Sequence, residues 1–209
     1  RVIAGIRLPT TATGDAAVAL ARTASPEFLF NHALRTYVFA ALLAGADGQQ
    51  FDEEAIFIAC CLHDLGLVAR FRTPDRPFEL DGAFAAKDFL AERGFDAKRS
   101  ELVVEAIAFH TSPLAELRPP EVSMVGEGAG ADVFGSGLKK LKPGQVDDVV
   151  AALPRLGFKT QFEAALVDYC TAKPRAAIGT WTDAFCRSHN HDFAFPTIEA
   201  RLAAAPFKE

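Results

Sequence analysis

The segment at positions 55–62 is apolar on nearly every side of a helix, and such a helix belongs in the interior of a protein. The acidic residues at 52–54 precede it and are typical of a helix start. Elsewhere, apolar residues recur at helical spacing, whereas stretches in which Val, Ile and Thr alternate with polar residues are scarce. The sequence therefore predicts an all-α fold with this segment as its central helix.

The same spacing predicts the other helices. Ser25 and Pro26 are expected to cap and begin a helix that ends at Gly45, and positions 70–77 are expected to form a loop. No repeat or linker divides the chain, so we expect a single domain over 1–209, with a metal-binding core at about 25–135 and C-terminal helices at about 143–205 that complete it. Further helices are predicted over about 79–92, 96–111, 121–134, 143–153, 160–170, 181–187 and 197–204.

Composition argues against nucleic-acid and membrane partners. The net charge is −5 and no basic stripe is present. No apolar run approaches the roughly 20 residues that cross a bilayer. We therefore expect a small-molecule substrate, and leave a homo-oligomer open. The four cysteines lack CxxC spacing and are expected to be reduced thiols of a cytoplasmic protein; they are Cys60, Cys61, Cys170 and Cys186.

His63 and Asp64 are adjacent at the end of the most hydrophobic helix. Burying an ionised carboxylate beside an imidazole is costly unless both groups have partners. A divalent metal ion would satisfy both, and the alternative is a buried Asp–His hydrogen bond or a helix-end interaction. His32, on the preceding helix, and Asp132, among small residues, are the next candidates, because two imidazoles and two carboxylates suit Zn²⁺, Fe²⁺ or Mn²⁺.

Three glycines, Gly126, Gly128 and Gly130, weaken the helix that precedes Asp132. Either close packing or room for a ligand would explain them. The segment is not a dinucleotide-binding loop, because no strand precedes it.

Five segments in order resemble the HD-domain superfamily of metal-dependent hydrolases, in its cyanamide hydratase-like branch. They are LFNHALRTYVFAALL, AIFIACCLHDLGL, RPFELDGAFAAKDFL, VVEAIAFHTSP and PEVSMVGEGAGADVFG. The resemblance implies an HD-domain helical bundle and metal ligation by His32, His63, Asp64 and Asp132.

The resemblance also marks two residues that could act on substrate. His110 occupies the place of an extra histidine of the branch, and could contact substrate, join the metal or cap a helix. Glu79 aligns with an acid typical of the branch and could move a proton, or could be an ordinary helix-start acid. Together with Asp64 they are the predicted catalytic residues.

Other polar residues have weaker claims. Arg35, one turn after His32, could neutralise ligand carboxylates, bind an anion or form a surface ion pair, and Lys87 is more typical of a solvated lysine. A second His-Asp dipeptide, in the stretch 189–192, is expected to be surface structure or to close one end of the pocket.

These features predict one divalent metal ion, with zinc as the first candidate and Fe, Mn or Ni as alternatives. The metal is expected to activate water for addition to a small nitrile-like or other C–N substrate. Cyanamide, which would yield urea, is the first candidate, with Phe30 and Phe109 expected to wall the pocket. The main alternative is an HD-type phosphohydrolase acting on a nucleotide or small phosphoester, which needs basic groups near the phosphate. Arg35, Arg70, Arg72 and Arg76 could supply them. A third hypothesis is a binding protein whose metal only holds the fold.

Overall fold

The computed structural model describes residues 1–189 and 196–207, and over these residues the protein is all-α, as predicted. The only described sheet is a two-strand antiparallel hairpin, β1 Val2–Ile3 and β2 Ile6–Arg7. The described helices are α1 Ala12–Ala24, α2 Glu27–Asp47, α3 Glu53–Leu62, α4 Phe78–Ala91, α5 Ala97–Ala108, α6 Pro120–Phe134, α7 Gln145–Ala152, α8 Phe158–Ala172, α9 Asp183–His189 and α10 Ile198–Ala203.

The interior is built around α2 and α3. Every residue of α3 from Ala55 to Leu62 is buried, which confirms the prediction of a central helix. The Asp52 side chain caps this helix by accepting a hydrogen bond from the Ala55 N–H at 3.0 Å. In α2, every residue from Phe28 to Ala44 is buried, so polar groups on α2 face other helices and not water.

Helix α6 packs directly on α2, and one glycine makes this approach feasible. A Cβ at Gly128 would lie only 2.1 Å from the carbonyl oxygen of Thr36. Only a residue without a side chain fits there. Close packing therefore explains one of the three glycines of α6.

The C-terminal helices form a second apolar cluster beside the main core. Phe158, Phe162 and Tyr169 of α8 pack there with Phe28 of α2 and with Phe78 at the start of α4. This cluster covers the end of α2 at which His32 lies.

Two local features differ from the sequence prediction. Helix α1 lies outside every predicted helix. Its buried positions are the small residues Gly14, Ala17 and Ala21 and not the large apolar residues that mark the other helices. Ser25 is the C-cap of α1 and not the N-cap of α2, which begins after Pro26.

The cysteines also differ from expectation. Cys60 and Cys61 are buried and free, but Cys170 and Cys186 form a disulfide that joins α8 to α9. The expectation of four reduced thiols is therefore wrong for this pair, whose 16-residue separation fits no short sequence motif. Disulfides are typical of oxidising compartments, so cysteine usage no longer supports a cytoplasmic location. Among the described helices, none has the length and apolar character to cross a membrane.

The start of α3 is held by charge pairs that can be tested by pH. Arg99 of α5 donates to Asp52 at 2.6 and 2.8 Å and to Glu54 at 2.7 Å. The hydrogen bonds from Arg99 hold the pKa of Asp52 below its ordinary value of 3.8. Since that pKa is depressed in the folded state, the pair stabilises the fold above pH 3.8 and loses its effect as the pH falls further.

We therefore predict that Asp52→Asn lowers the free energy of unfolding at pH 7 by about 1 kcal/mol, because asparagine keeps the cap but not the ion pair, which is partly exposed. Urea titrations should show the difference from wild type shrinking below pH 3.8. Asp75→Asn, at an exposed position, is the control and should have no effect. A pH-independent difference would contradict the assignment.

Candidate metal centre

Two helix ends, the start of α2 and the end of α3, bring a group of histidine and aspartate side chains together. His32 lies in the second turn of α2, His63 is the C-cap of α3 and Asp64 follows it. All three are buried, with exposed fractions of 1%, 1% and 6%. They meet because α2 and α3 are both core helices and α3 ends where His32 faces it.

The donor atoms of these residues converge. His32 Nε2 and His63 Nε2 lie 3.5 and 3.2 Å from the same oxygen, Oδ2 of Asp64. One donor atom from each residue lies within 4.8 Å of the others. His63 Nε2 and Asp64 Oδ2 are buried and have no hydrogen-bond partner. Buried polar atoms without partners are costly, and a bound cation would compensate them, so the residues fit a divalent metal.

Hydrogen bonds fix the histidine tautomers in the form that a metal requires. His63 Nδ1 lies 2.8 Å from the Cys60 carbonyl oxygen and donates its proton there. Its Nε2 faces Asp64 and is the atom that a metal would bind. Burial lowers the pKa of His63, but the negative charge of Asp64 raises it above the ordinary value, so a bound cation would replace a proton at Nε2. Burial alone would raise the pKa of Asp64, but the imidazoles of His63, His32 and His110 hold it well below the ordinary value. The carboxylate is therefore charged, as a metal ligand must be.

Asp132, the fourth predicted ligand, is not among the three residues whose donor atoms converge, and its ligation of a metal stays a prediction. Its Oδ2 lies 2.7 Å from His32 Nδ1, the ring nitrogen that faces away from Asp64. Both of its oxygens also accept from Arg35, at 2.7 and 2.8 Å, and Oδ1 accepts from Arg155 at 2.7 Å. In the described geometry Asp132 orients His32 and fixes its tautomer.

Arg35 is wholly buried beneath the site. Besides Asp132, it donates to the carbonyl oxygens of Leu153 and Pro154, both at 3.1 Å. Of its three sequence-based roles, the structure shows the pairing with a carboxylate. Arg155, which the sequence did not single out, adds a second guanidinium on the other side of Asp132 and lies over the Phe158 ring.

His110 lies next to the group, after the end of α5. Its Nδ1 is 2.7 Å from the Ile107 carbonyl oxygen, and its Nε2 is 3.9 Å from Asp64 Oδ1. Burial, together with nearby His63, lowers the pKa of His110 to about 4. His110 is therefore neutral near pH 7, with the Nε2 lone pair directed toward the cavity.

Glu79 is buried but reaches the site only through another residue. Its Oε1 accepts a 2.6 Å hydrogen bond from the Thr111 hydroxyl, while its Oε2 has no partner. Burial raises its pKa. Thr111 itself lines the cavity, as does His110. Thr111 was missed in the sequence, although its position directly after His110 was a signal for it.

A cavity of about 160 Å³ opens onto these polar groups. Its other walls are mostly apolar and come from α4, α6, α8 and the segment before α9; they include Phe78, Ala129, Val133, Phe134, Phe162 and Trp181. Phe30 and Phe109 do not line it, so that expectation is wrong. Phe30 packs in the main core instead, and Phe109 is the C-cap of α5. Within the described part of the chain, no Lys or Arg lines this cavity.

The basic residues considered for phosphate binding are engaged elsewhere. Arg70 lies over the Phe71 ring, Arg72 pairs with Asp168 at 2.8 Å, and Arg76 contacts Asp81 at 3.4 Å. Lys87 is exposed on α4, as expected for a solvated lysine.

Only His189 of the stretch 189–192 belongs to the described residues. His189 ends α9, where its ring stacks on Phe185. His191 and Asp192 lie outside the described residues.

A helical bundle with a buried His/His/Asp group defines a class of proteins that can hold a divalent cation within an all-α core. The HD domain family matches residues 29–135, slightly more than half of the 209 residues, and the chain belongs to this family. HD domains are generally metal-dependent hydrolases. No curated protein matches the chain.

We predict that the purified protein holds about one divalent metal ion per chain, since the described donor atoms form a single group. Asp64→Asn should abolish binding. Asp132→Asn removes the charged partner of His32, Arg35 and Arg155 and should weaken binding by about 10- to 100-fold. Elemental analysis and metal titration followed by melting temperature would measure this.

Asp88→Asn, on the exposed side of α4, is the matched control and should bind like wild type. Two ions per chain, or none after metal addition, would contradict the assignment. Complete loss of binding in a folded Asp132→Asn variant would make Asp132 a ligand.

Proposed function

We propose that this protein is a metal-dependent hydratase or hydrolase that adds water to a small, neutral nitrile-like or other C–N substrate. Cyanamide, converted to urea, is the first candidate. The observation that carries this proposal is a buried His/His/Asp group with unpartnered atoms at the polar end of an otherwise apolar cavity.

The lining of the cavity favours a neutral substrate over a phosphoester. A phosphoryl group requires Arg, Lys or further cations around its oxygens, and the described wall offers none of those side chains. Membership of the HD-domain family is compatible with either chemistry, so the choice between them rests on the wall.

In this proposal His32, His63 and Asp64 hold the metal, and Asp132 with Arg35 behind it keeps His32 in position. A divalent ion bound there would polarise water and lower its pKa toward neutrality. The neutral Nε2 of His110 faces the cavity. This nitrogen can accept a proton from the attacking water.

Hydration of a nitrile also requires a proton on nitrogen. Water adds its oxygen to the carbon, and the nitrogen gains a hydrogen, so the group that takes a proton from water must be able to return one. Glu79 can take part through the Thr111 hydroxyl, which it contacts at 2.6 Å. Burial raises the Glu79 pKa, which favours the protonated acid.

Several finer assignments belong to this proposal. Zinc is the proposed ion because two imidazoles and one carboxylate form a borderline ligand set, with Fe, Mn or Ni as alternatives. We propose a small-molecule substrate as the partner and keep a homo-oligomer as a candidate assembly. A cytoplasmic location stays a proposal on composition alone.

The two chemistries predict different effects of the loop arginines. For a neutral nitrile, replacing Arg70, Arg72 and Arg76 together by Gln should change kcat/KM less than about tenfold, since these groups lie outside the described wall. For a phosphoester, a lost phosphate contact should cost roughly 2 to 4 kcal/mol. Ammonia, urea and phosphate release should be measured on a panel of nitriles, amides and nucleotides.

The melting temperature of the triple variant must be recorded beside its activity, because Arg72 and Arg76 also form ion pairs. Release of phosphate from a nucleotide, with competitive inhibition by inorganic phosphate, would overturn the hydratase proposal in favour of the phosphohydrolase.

The proposed proton path can be tested at Thr111. Thr111→Val keeps the shape of the side chain but removes the hydroxyl between Glu79 and the cavity, so kcat should fall by about 10- to 100-fold with the metal retained. His110→Ala should likewise retain the metal and lose most turnover. The pH profile of kcat should change in both variants.

Thr171→Val, at an exposed position of α8, is the matched control for loss of a hydroxyl. Unchanged kcat in Thr111→Val would remove Glu79 from the mechanism. Loss of the metal in His110→Ala would make His110 a ligand.

A further inference from the structure

Packing explains two of the three glycines of α6 but not the third. A Cβ at Gly126 would lie 2.4 Å from the His110 carbonyl oxygen, and one at Gly128 would lie 2.1 Å from that of Thr36. At Gly130 the nearest atoms belong to Ser136, at 3.6 and 3.7 Å, which is ordinary contact. An alanine would therefore fit at Gly130, and alanine is the more stable residue inside a helix.

Gly130 lies on the side of α6 that faces the candidate metal centre. Gly126, Ala129, Gly130 and Val133 recur at helical spacing and line the same cavity. The cavity also includes His63 and Asp64, whose buried Nε2 and Oδ2 atoms have no partner. The space beside Gly130 is therefore continuous with buried atoms that a ligand would satisfy.

The size and lining of this space indicate what occupies it. The cavity measures about 160 Å³ and its polar groups are concentrated at the metal-binding end. An engineered apolar cavity of about 150 Å³ in another protein is large enough for benzene. The rings of Phe78, Phe162 and Trp181 also line the cavity, and flat apolar groups pack well against such rings.

We infer that Gly130 is a specificity-determining residue, and that the substrate carries a compact apolar or aromatic body that lies along α6 with its C–N group at the metal centre. This inference rests on the proposed function and, within it, changes the first substrate candidate from cyanamide to a larger nitrile or other C–N compound. It predicts that cyanamide, which lacks such a body, fills only the polar end of the cavity.

The sequence supplies a probe for this inference, since Trp181 is the sole tryptophan of the chain and lines the cavity. We would titrate the zinc-loaded protein with acetonitrile and with benzonitrile and follow tryptophan fluorescence. Wild type should bind benzonitrile about tenfold or more tightly than acetonitrile, because the larger ligand buries more apolar surface.

The Gly130 variants test the residue itself. Gly130→Leu should weaken benzonitrile binding by about tenfold or more and should weaken acetonitrile binding by a clearly smaller factor. Gly130→Ala should have a smaller effect on binding and should raise the melting temperature by about 1 to 4 °C.

Gly45→Ala is the matched control. Like Gly130, Gly45 lies in a helix and has room for an added Cβ. No atom lies within 4 Å of a Cβ at Gly45, and this residue lies outside the cavity. It should raise the melting temperature in the same way and leave both titrations unchanged.

Equal binding of benzonitrile by wild type and a folded Gly130→Leu variant would overturn the inference, as would tighter binding of acetonitrile than of benzonitrile by wild type. If binding depends on ligand size as expected but no nitrile is turned over, the proposed reaction is refuted and the assignment of Gly130 is kept. Turnover of cyanamide without benzonitrile binding would refute this inference alone.

Discussion

The structure depends on how two buried carboxylates, Asp64 and Asp132, are compensated. Asp132 is satisfied by the protein itself, through Arg35, Arg155 and His32. Removing one partner from such a buried network typically costs about 3 to 5 kcal/mol, so the pairing holds α2 and α6 in one arrangement. Asp64 keeps an oxygen without any partner. The partners of Asp132 therefore all come from the protein, whereas one oxygen of Asp64 has no partner and fits the proposed metal.

The same α2–α6 interface also places His32. Gly128 lets the α6 backbone touch α2 at Thr36, one turn beyond His32, and this contact brings Asp132 within 2.7 Å of His32 Nδ1. With Nδ1 engaged, Nε2 can face only Asp64. Backbone contact and charge pairing therefore determine the direction of a side chain on which the candidate metal centre depends.

The sequence predicted the fold class and most helices because α3 and its neighbours carry strong apolar periodicity. It also singled out His32, His63 and Asp64, since a carboxylate and imidazoles in a hydrophobic context require compensating partners. It could not distinguish an aspartate whose oxygen meets the histidine donor atoms from one that pairs with the far side of a histidine ring. Asp132 and Asp64 are both aspartates among apolar residues, and only the direction of Arg35 and of the His32 ring distinguishes them.

The walls of the cavity escaped prediction for a different reason. The histidine, aspartate and threonine side chains that line the cavity all lie within 29–135, the segment that matches the HD domain family. Phe162 and Trp181 come from beyond it, on α8 and on the segment that the Cys170–Cys186 disulfide encloses. Their meeting with α6 is a long-range contact that no local pattern encodes. The family segment can therefore hold the reactive groups, while the C-terminal helices supply the apolar walls that contact the proposed substrate. For this reason family membership indicates the class of reaction, and the substrate has to be inferred from the rings that line the cavity.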